Sequence, residues 1–366
     1  MSAPYFALQF LLQLGIILLA CRLVGSLMVR IGQPRVIGEM IAGILLGPSL
    51  LGLFAPAVQS ALFPPASLGL LSTVSKLGLV LYMFVVGSHL QTGIIRQAFR
   101  SAAFISVAGI IAPFVLGAAL ASFLHVDGRF FGAGVSRVQS MLYLGAAMAV
   151  TAFPVLARII HERGIGGTAL GTLALAAGAT DDAIAWCLLA IVLVGVNPDF
   201  NVLGFLGSHA VFVAFLVGAA LPRTAATREF SRRAASIAGT VLVPLFFAYS
   251  GLSTHLSLLW SSELLVVSIA VILVASIGKS VACWAAARLT GRENREAMAI
   301  GALMNARGLM ELIMLNIGLE HGLITPTLFT VMVVMTLATT LAAGPTFEWA
   351  WRGSKEGVEL AGVRAH

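Results

Sequence analysis

The sequence predicts an all-α polytopic membrane protein of about eleven transmembrane helices. Three observations carry that reading. Of the 366 residues, 59% are hydrophobic and 10% charged, with a mean hydropathy of +1.00, whereas soluble chains carry about 25% charged residues. Apolar segments long enough to cross a bilayer lie at 6–28, 36–53, 68–88, 102–123, 140–160, 169–195, 203–221, 236–254, 264–288, 297–319 and 325–344. Basic residues alternate with them: 15 of the 22 Lys and Arg fall in the odd-numbered loops and the C-terminal tail, and the even loops hold only Arg129 and Arg137. By the positive-inside pattern the N-terminus is outside and the C-terminus cytoplasmic, as in a cell (inner) membrane protein.

The first segment lacks a basic leading region and a small-residue cleavage site, so it reads as a span and not as a removable signal. The second contains Gly43, Gly47-Pro48 and Gly52, which read equally as a packing kink or as a functional break, with Glu39 near its end and so interfacial. Lys76, amid Ser72, Thr73 and Ser75 of the third, carries no assigned role. The fifth is interrupted by Thr151-Ala-Phe-Pro154, since a proline removes a backbone donor and pushes its predecessor away from the α conformation. The sixth carries Asp181-Asp182 near its middle. A charged side chain there costs about 2.5–3.5 kcal/mol even on lenient scales, and a short Asp cannot snorkel out. The ninth holds Lys279 between Gly278 and Ser280, which favour close helix packing. The tenth is interrupted at Asn305-Ala-Arg307-Gly308 and followed by Glu311. The transmembrane part is therefore 1–348, with 349–366 a short cytoplasmic tail that leaves no room for a nucleotide-binding regulatory domain. Cys21, Cys187 and Cys283 show no paired spacing, so neither a disulfide framework nor a structural metal is expected. No cofactor is expected, and the dispersed arginines form no nucleic-acid patch.

Interrupted spans in comparable places, the penultimate of each half, point to a secondary transporter with inverted repeats. Two discontinuous helices that cross leave uncompensated helix-end charges at mid-membrane. Asp181, Asp182 and Lys279 are suited to neutralise them, and Thr151 and Asn305 offer further oxygens. Neighbouring helical residues point about 100° apart, so one Asp holds an ion while the other needs a counter-charge, for which Lys279 is the candidate. Arg307 and Glu311, spaced i, i+4, permit a structural ion pair that locks the broken helix.

Thr151-Ala-Phe-Pro-Val-Leu-Ala-Arg158, Thr180-Asp-Asp-Ala-Ile-Ala-Trp186 and Asn305-Ala-Arg-Gly-Leu-Met-Glu311-Leu-Ile-Met-Leu-Asn316 resemble the cation/proton antiporter-2 family. The likeness is greatest to the branch of plant and fungal cation/H⁺ exchangers and their bacterial relatives. The run 34–48 and Val243-Pro-Leu-Phe-Phe247 also resemble family signatures. The resemblance implies a Na⁺/H⁺ antiporter-like fold and a likeness to homodimers. It also implies elevator-type alternating access by a core of approximately 68–195 and 236–344. It makes Asp182 the ion-binding carboxylate, Asp181 the position that is Asp in electrogenic members, Lys279 its partner, and Thr151 a threonine at the crossing. The expected function is thus Na⁺ or K⁺/H⁺ antiport, with ion and proton competing at Asp182 and an electrogenic cycle. The chain departs from the family between about 196 and 221, where one span stands for the usual three. A sodium-coupled symporter of an organic anion on a related fold and a passive cation channel are the alternatives. An intramembrane aspartyl protease is disfavoured, because two consecutive Asp on one helix cannot face each other and no Gly-x-Gly-Asp run is present. No enzyme activity is expected.

Overall fold

The computed structural model describes residues 3–88, 92–196, 210–222 and 224–352. It is all-helical, as predicted; among the described residues the only β pairing is an isolated bridge, Phe131 to Ile324. Eight helical stretches among them are long and apolar enough to cross a membrane: 7–30, 35–54, 65–88, 100–127, 225–252, 262–289, 294–320 and 326–351. The predicted segments 169–195 and 203–221 are also helical where described, and 140–160 is two helices broken at 150–152. The stretch 197–209, on which the shortened middle depends, lies outside the described residues.

The chain divides into two compact units. The first comprises Met1–Leu90 and Asp199–Ser257. Its helices are α1 (Ala3–Arg30), α2 (Arg35–Leu46), the short α3 (Leu51–Phe54) and α4 (Pro56–Leu62), α5 (Pro65–Ser88), α10 (Ala210–Ala220), α11 (Ala225–Ile237) and α12 (Val243–Leu252). Ile17, Cys21, Ala42, Leu71, Leu245 and Ala248 form part of its core, while Leu8, Leu11, Leu19 and Leu23 of α1 are exposed, as lipid-facing residues are. Helices α2 and α12 cross where Gly43 meets the backbone of Ala248 and Gly251 that of Met40, leaving no room for a side-chain carbon at either. Glu39, expected at the interface, is instead buried at 6% exposure within α2.

The second unit comprises Gln91–Pro198 and Leu258–His366. It contains α6 (Thr92–Leu124), α7 (Arg137–Ala149), α8 (Phe153–Glu162), α9 (Ala169–Val196), α13 (Ser262–Leu289), α14 (Asn294–Met304), α15 (Leu309–Glu320) and α16 (Pro326–Trp351). The core drawn on sequence runs through both units. Local signals start several helices. Ser136 and Gln139 close a capping box on α7, Ser261 caps α13, and Thr325 caps α16 ahead of Pro326. In α14–α15, 94% of the most apolar window is buried, against 33% for α6 and for α13. The interrupted span is therefore the most buried of these, with α6 and α13 the more exposed walls and α16, at 67%, between them. The loop between α6 and α7 is tied to the one between α15 and α16. Gly132 N–H donates to Leu323 O at 3.2 Å and Thr325 N–H to Phe130 O at 3.0 Å.

Candidate functional site

Both interruptions lie in the second unit and meet. Helix α7 ends at Ala149, and α8 begins at Phe153 with Pro154 as its second residue. A proline at 154 has no N–H to give the carbonyl of Val150, four residues back, so the helix cannot run through. Helix α14 ends at Met304, and α15 starts after Gly308. Gly308 adopts φ +156° and ψ −108°, a region side-chain-bearing residues rarely enter. The two extended stretches pair across the crossing, Ala152 N–H donating to Ala306 O at 3.0 Å. Thr340 of α16 braces the second stretch, its hydroxyl donating to Arg307 O and accepting from Arg307 N–H, both at 2.9 Å.

The last carbonyls of a half-helix are unsatisfied and carry partial negative charge. Here two buried cations take them. Arg307 donates through one terminal nitrogen to Met148 O at 2.7 Å and through the other to Ala147 O and Val150 O at 3.4 Å. The Lys279 ammonium donates to Ala149 O. Both cations are fully buried. The sequence reading placed Arg307 and Glu311 on one helix. In the structure Arg307 lies in the break ahead of α15, and its guanidinium is 3.6 Å from Glu311. Most of its hydrogen bonding goes to the end of α7, because the crossing brings those carbonyls within reach.

The two consecutive Asp have different surroundings. Asp181 is saturated: Ser106 of α6 donates to Oδ1, and Lys279 lies 3.0 Å from Oδ2. The Thr151 hydroxyl, 2.6 Å from Asp181 Oδ2 and 3.1 Å from Met304 O, has one proton for the two. Among the described residues Asp182 has a single weak hydrogen-bond contact, Phe153 N–H at the start of α8, 3.5 Å from Oδ1. Among the described residues its Oδ2 accepts no hydrogen bond, nor does Asn305 Oδ1 or either Glu311 oxygen. Asp182 is 1% exposed, and a buried carboxylate so poorly partnered is costly. It can be relieved by a proton or by a small cation that accepts oxygen ligands. The structure thus brings Thr151, Asp181 and Lys279 into contact, sets Asp182 beside Phe153, and places Asn305, Arg307 and Gly308 in the second break. Pro154 is placed by its backbone only. Sequence reasoning missed Ser106, Thr340 and the α7 carbonyls. A serine or threonine within a span gives no signal of its own, and a carbonyl none at all.

A model of the sodium/hydrogen exchanger transmembrane family matches residues 15–205 and 200–353. The Na⁺/H⁺ antiporter NhaS4 of Synechocystis sp. is 37% identical, over 92% of this chain and 96% of its own length. The K⁺/H⁺ antiporter 1 of Saccharomyces cerevisiae is 28% identical, over 95% of this chain and 47% of its own. The chain spans about half the length of the yeast and plant relatives it matches. Among solved structures, the sodium proton antiporter MjNhaP1 of Methanocaldococcus jannaschii matches with a TM-score of 0.65. That match covers 95% of this chain and 100% of that one at 14% identity, and it shows the fold alone.

Proposed function

Because this chain belongs to the sodium/hydrogen exchanger family, we propose that it exchanges a monovalent cation, Na⁺ or K⁺, for protons. In this reading the two compete for Asp182. The protein is a multi-pass membrane transporter and not an enzyme.

The observation that carries the reading is the inequality of the two Asp. Asp181 already has a full counter-charge in Lys279 at 3.0 Å, whereas Asp182 keeps an oxygen with no hydrogen bond while buried. One positive charge, whether on a proton or a cation, compensates Asp182, and a second finds no further negative charge to offset its dehydration. Binding of one therefore expels the other, and this competition couples the two gradients. A cation arriving at Asp182 exchanges its water for carboxylate oxygen, with the free oxygen of Asn305 and the Thr151 hydroxyl as further donors at the crossing. Asp181 trades Lys279 for the ion or a second proton. More protons than cations then move in each cycle, and transport is electrogenic. Every residue of the site rides on the second unit, so that unit can carry the ion by moving as one body, in elevator fashion. The protein works as a homodimer with its N-terminus outside. Both ions stay in the proposal because the relatives' names divide between them.

The test uses purified protein in liposomes loaded with a pH-sensitive dye. Na⁺, Li⁺, K⁺ and choline are added in turn against an imposed proton gradient, beside Asp182→Asn. Dequenching by one alkali cation, lost in the variant, is the expected result and names the ion. Silence towards every alkali cation, from protein shown to be folded, overturns it in favour of an organic-anion symporter.

A further inference from the structure

A cavity of about 400 Å³ lies wholly within the first unit. Ser88 at the end of α5, Leu221, Pro222, and Thr227, Arg228, Ser231, Arg232 and Ala235 of α11 line it. Its charge is unbalanced. Helix α11 carries three arginines and one acid, Glu229, which Arg232 and Arg233 share at 2.5 and 2.7 Å. Among the described residues Arg228 makes no ion pair, and it is exposed. Ser231 is 5% exposed, and no described residue offers its hydroxyl a hydrogen bond. The Ser88 and Thr227 hydroxyls, by contrast, already donate to backbone carbonyls at 2.8 and 2.7 Å. The cavity therefore offers the whole guanidinium fork of Arg228, the donors of Arg232 that Glu229 does not hold, and one free hydroxyl, a donor set for a tetrahedral anion.

The rest of the cavity wall is apolar, made by Leu221, Pro222 and Ala235, and 225–252 is a single apolar stretch long enough to enter the membrane. A soluble phosphate has no use for an apolar wall beside its site, but a lipid does. The loop holding Arg223, Arg228, Arg232 and Arg233 has the largest basic cluster in the sequence. The arginine asymmetry assigns it to the cytoplasmic side, where anionic lipids attract such clusters. We infer that this cavity binds the phosphate of an anionic phospholipid of the cytoplasmic leaflet. Arg228 clasps the phosphate with the donors of Arg232 that Glu229 leaves free, the Ser231 hydroxyl completes its ligands, and the acyl chains run from the wall of Leu221, Pro222 and Ala235.

The experiment measures lipid retention by native mass spectrometry, and thermal protection, on the detergent-solubilised full chain. The probes are phosphatidylglycerol, phosphatidylcholine and inorganic phosphate. Phosphatidylglycerol alone is expected to be retained and to raise the melting temperature. The Arg228→Gln/Arg232→Gln double variant should bind it about tenfold more weakly, the loss of one charge-assisted hydrogen bond or more. Arg288→Gln/Arg292→Gln removes the same charge elsewhere and should leave binding intact. Equal weakening in both doubles reduces the effect to bulk charge and overturns the site. Full protection by inorganic phosphate makes it a soluble-anion site, and no retention by the unaltered protein removes it altogether. Should the first double fail to fold, Arg228→Gln alone decides, because that side chain is exposed and unpaired: unchanged retention rejects the inference. None of these readouts depends on ion transport, so the outcome stands apart from that of the antiport test.

Discussion

A buried ion pair is worth less than the cost of breaking it, because the surviving charge is left alone in a low dielectric. Lys279 and Asp181, both without exposed side-chain surface at 3.0 Å, fall under that rule. Lys279→Met alone should destabilise the protein by about 3–5 kcal/mol, and Asp181→Asn with Lys279→Met should restore most of it. A double-mutant cycle in thermal unfolding checks this, and strict additivity would refute the coupling. At this scale the acidic pair and the lysine were legible in the sequence, since a charge inside an apolar segment is conspicuous. The inequality of the two Asp was not. The 100° between neighbours says that they differ, but only the positions of Ser106, Thr151 and Phe153 decide which one is saturated.

Two broken spans are a matter of elements. Gly308 stands at φ +156° with Val155 Cγ2 3.1 Å from where a Cβ would sit. Gly308→Ala should cost about 1–3 kcal/mol through backbone strain, read as a lower melting temperature of purified protein. Arg307→Met removes the donors for Ala147, Met148 and Val150 and strands Glu311. It should cost more than Gly308→Ala, by about the value of an uncompensated buried charge. A smaller loss than for Gly308→Ala would mean that the α7 end is satisfied in another way. Pro154 and Gly308 announced the breaks in the sequence, each by a backbone rule that acts locally. The destination of Arg307 could not be read there, because the i, i+4 spacing supplied a nearby partner and hid the distant one.

For the whole molecule, composition and loop charge gave the helical class, and each of the eleven predicted segments contains helix where described, with the breaks at 47–50, 150–152 and 305–308 inside three of them. The division into two units was not legible, since it depends on which helices pack and not on which are apolar. Handedness of insertion remains a prediction to test. In a Cys187→Ala background, Val126→Cys in the loop between α6 and α7 should react with an impermeant maleimide added to intact cells. Arg352→Cys should react only after lysis. Val126 is 80% exposed and the Arg352 side chain likewise 80%, so access is decided by the membrane and not by burial. The opposite pattern would invert the topology and, with it, the leaflet assigned to the arginine cavity.

The end of α7 has one more consequence. Lys279 holds both Asp181 and the carbonyl of Ala149. In the proposed cycle an ion that took Asp181 would leave the ammonium this second mooring, so the swap would loosen one attachment instead of casting a bare cation adrift. That mooring is peptide backbone, the same whatever side chain stands at 149. Half of the counter-ion is thus inherited with the bend of the chain, and a point mutation at that residue cannot remove it without also moving the helix.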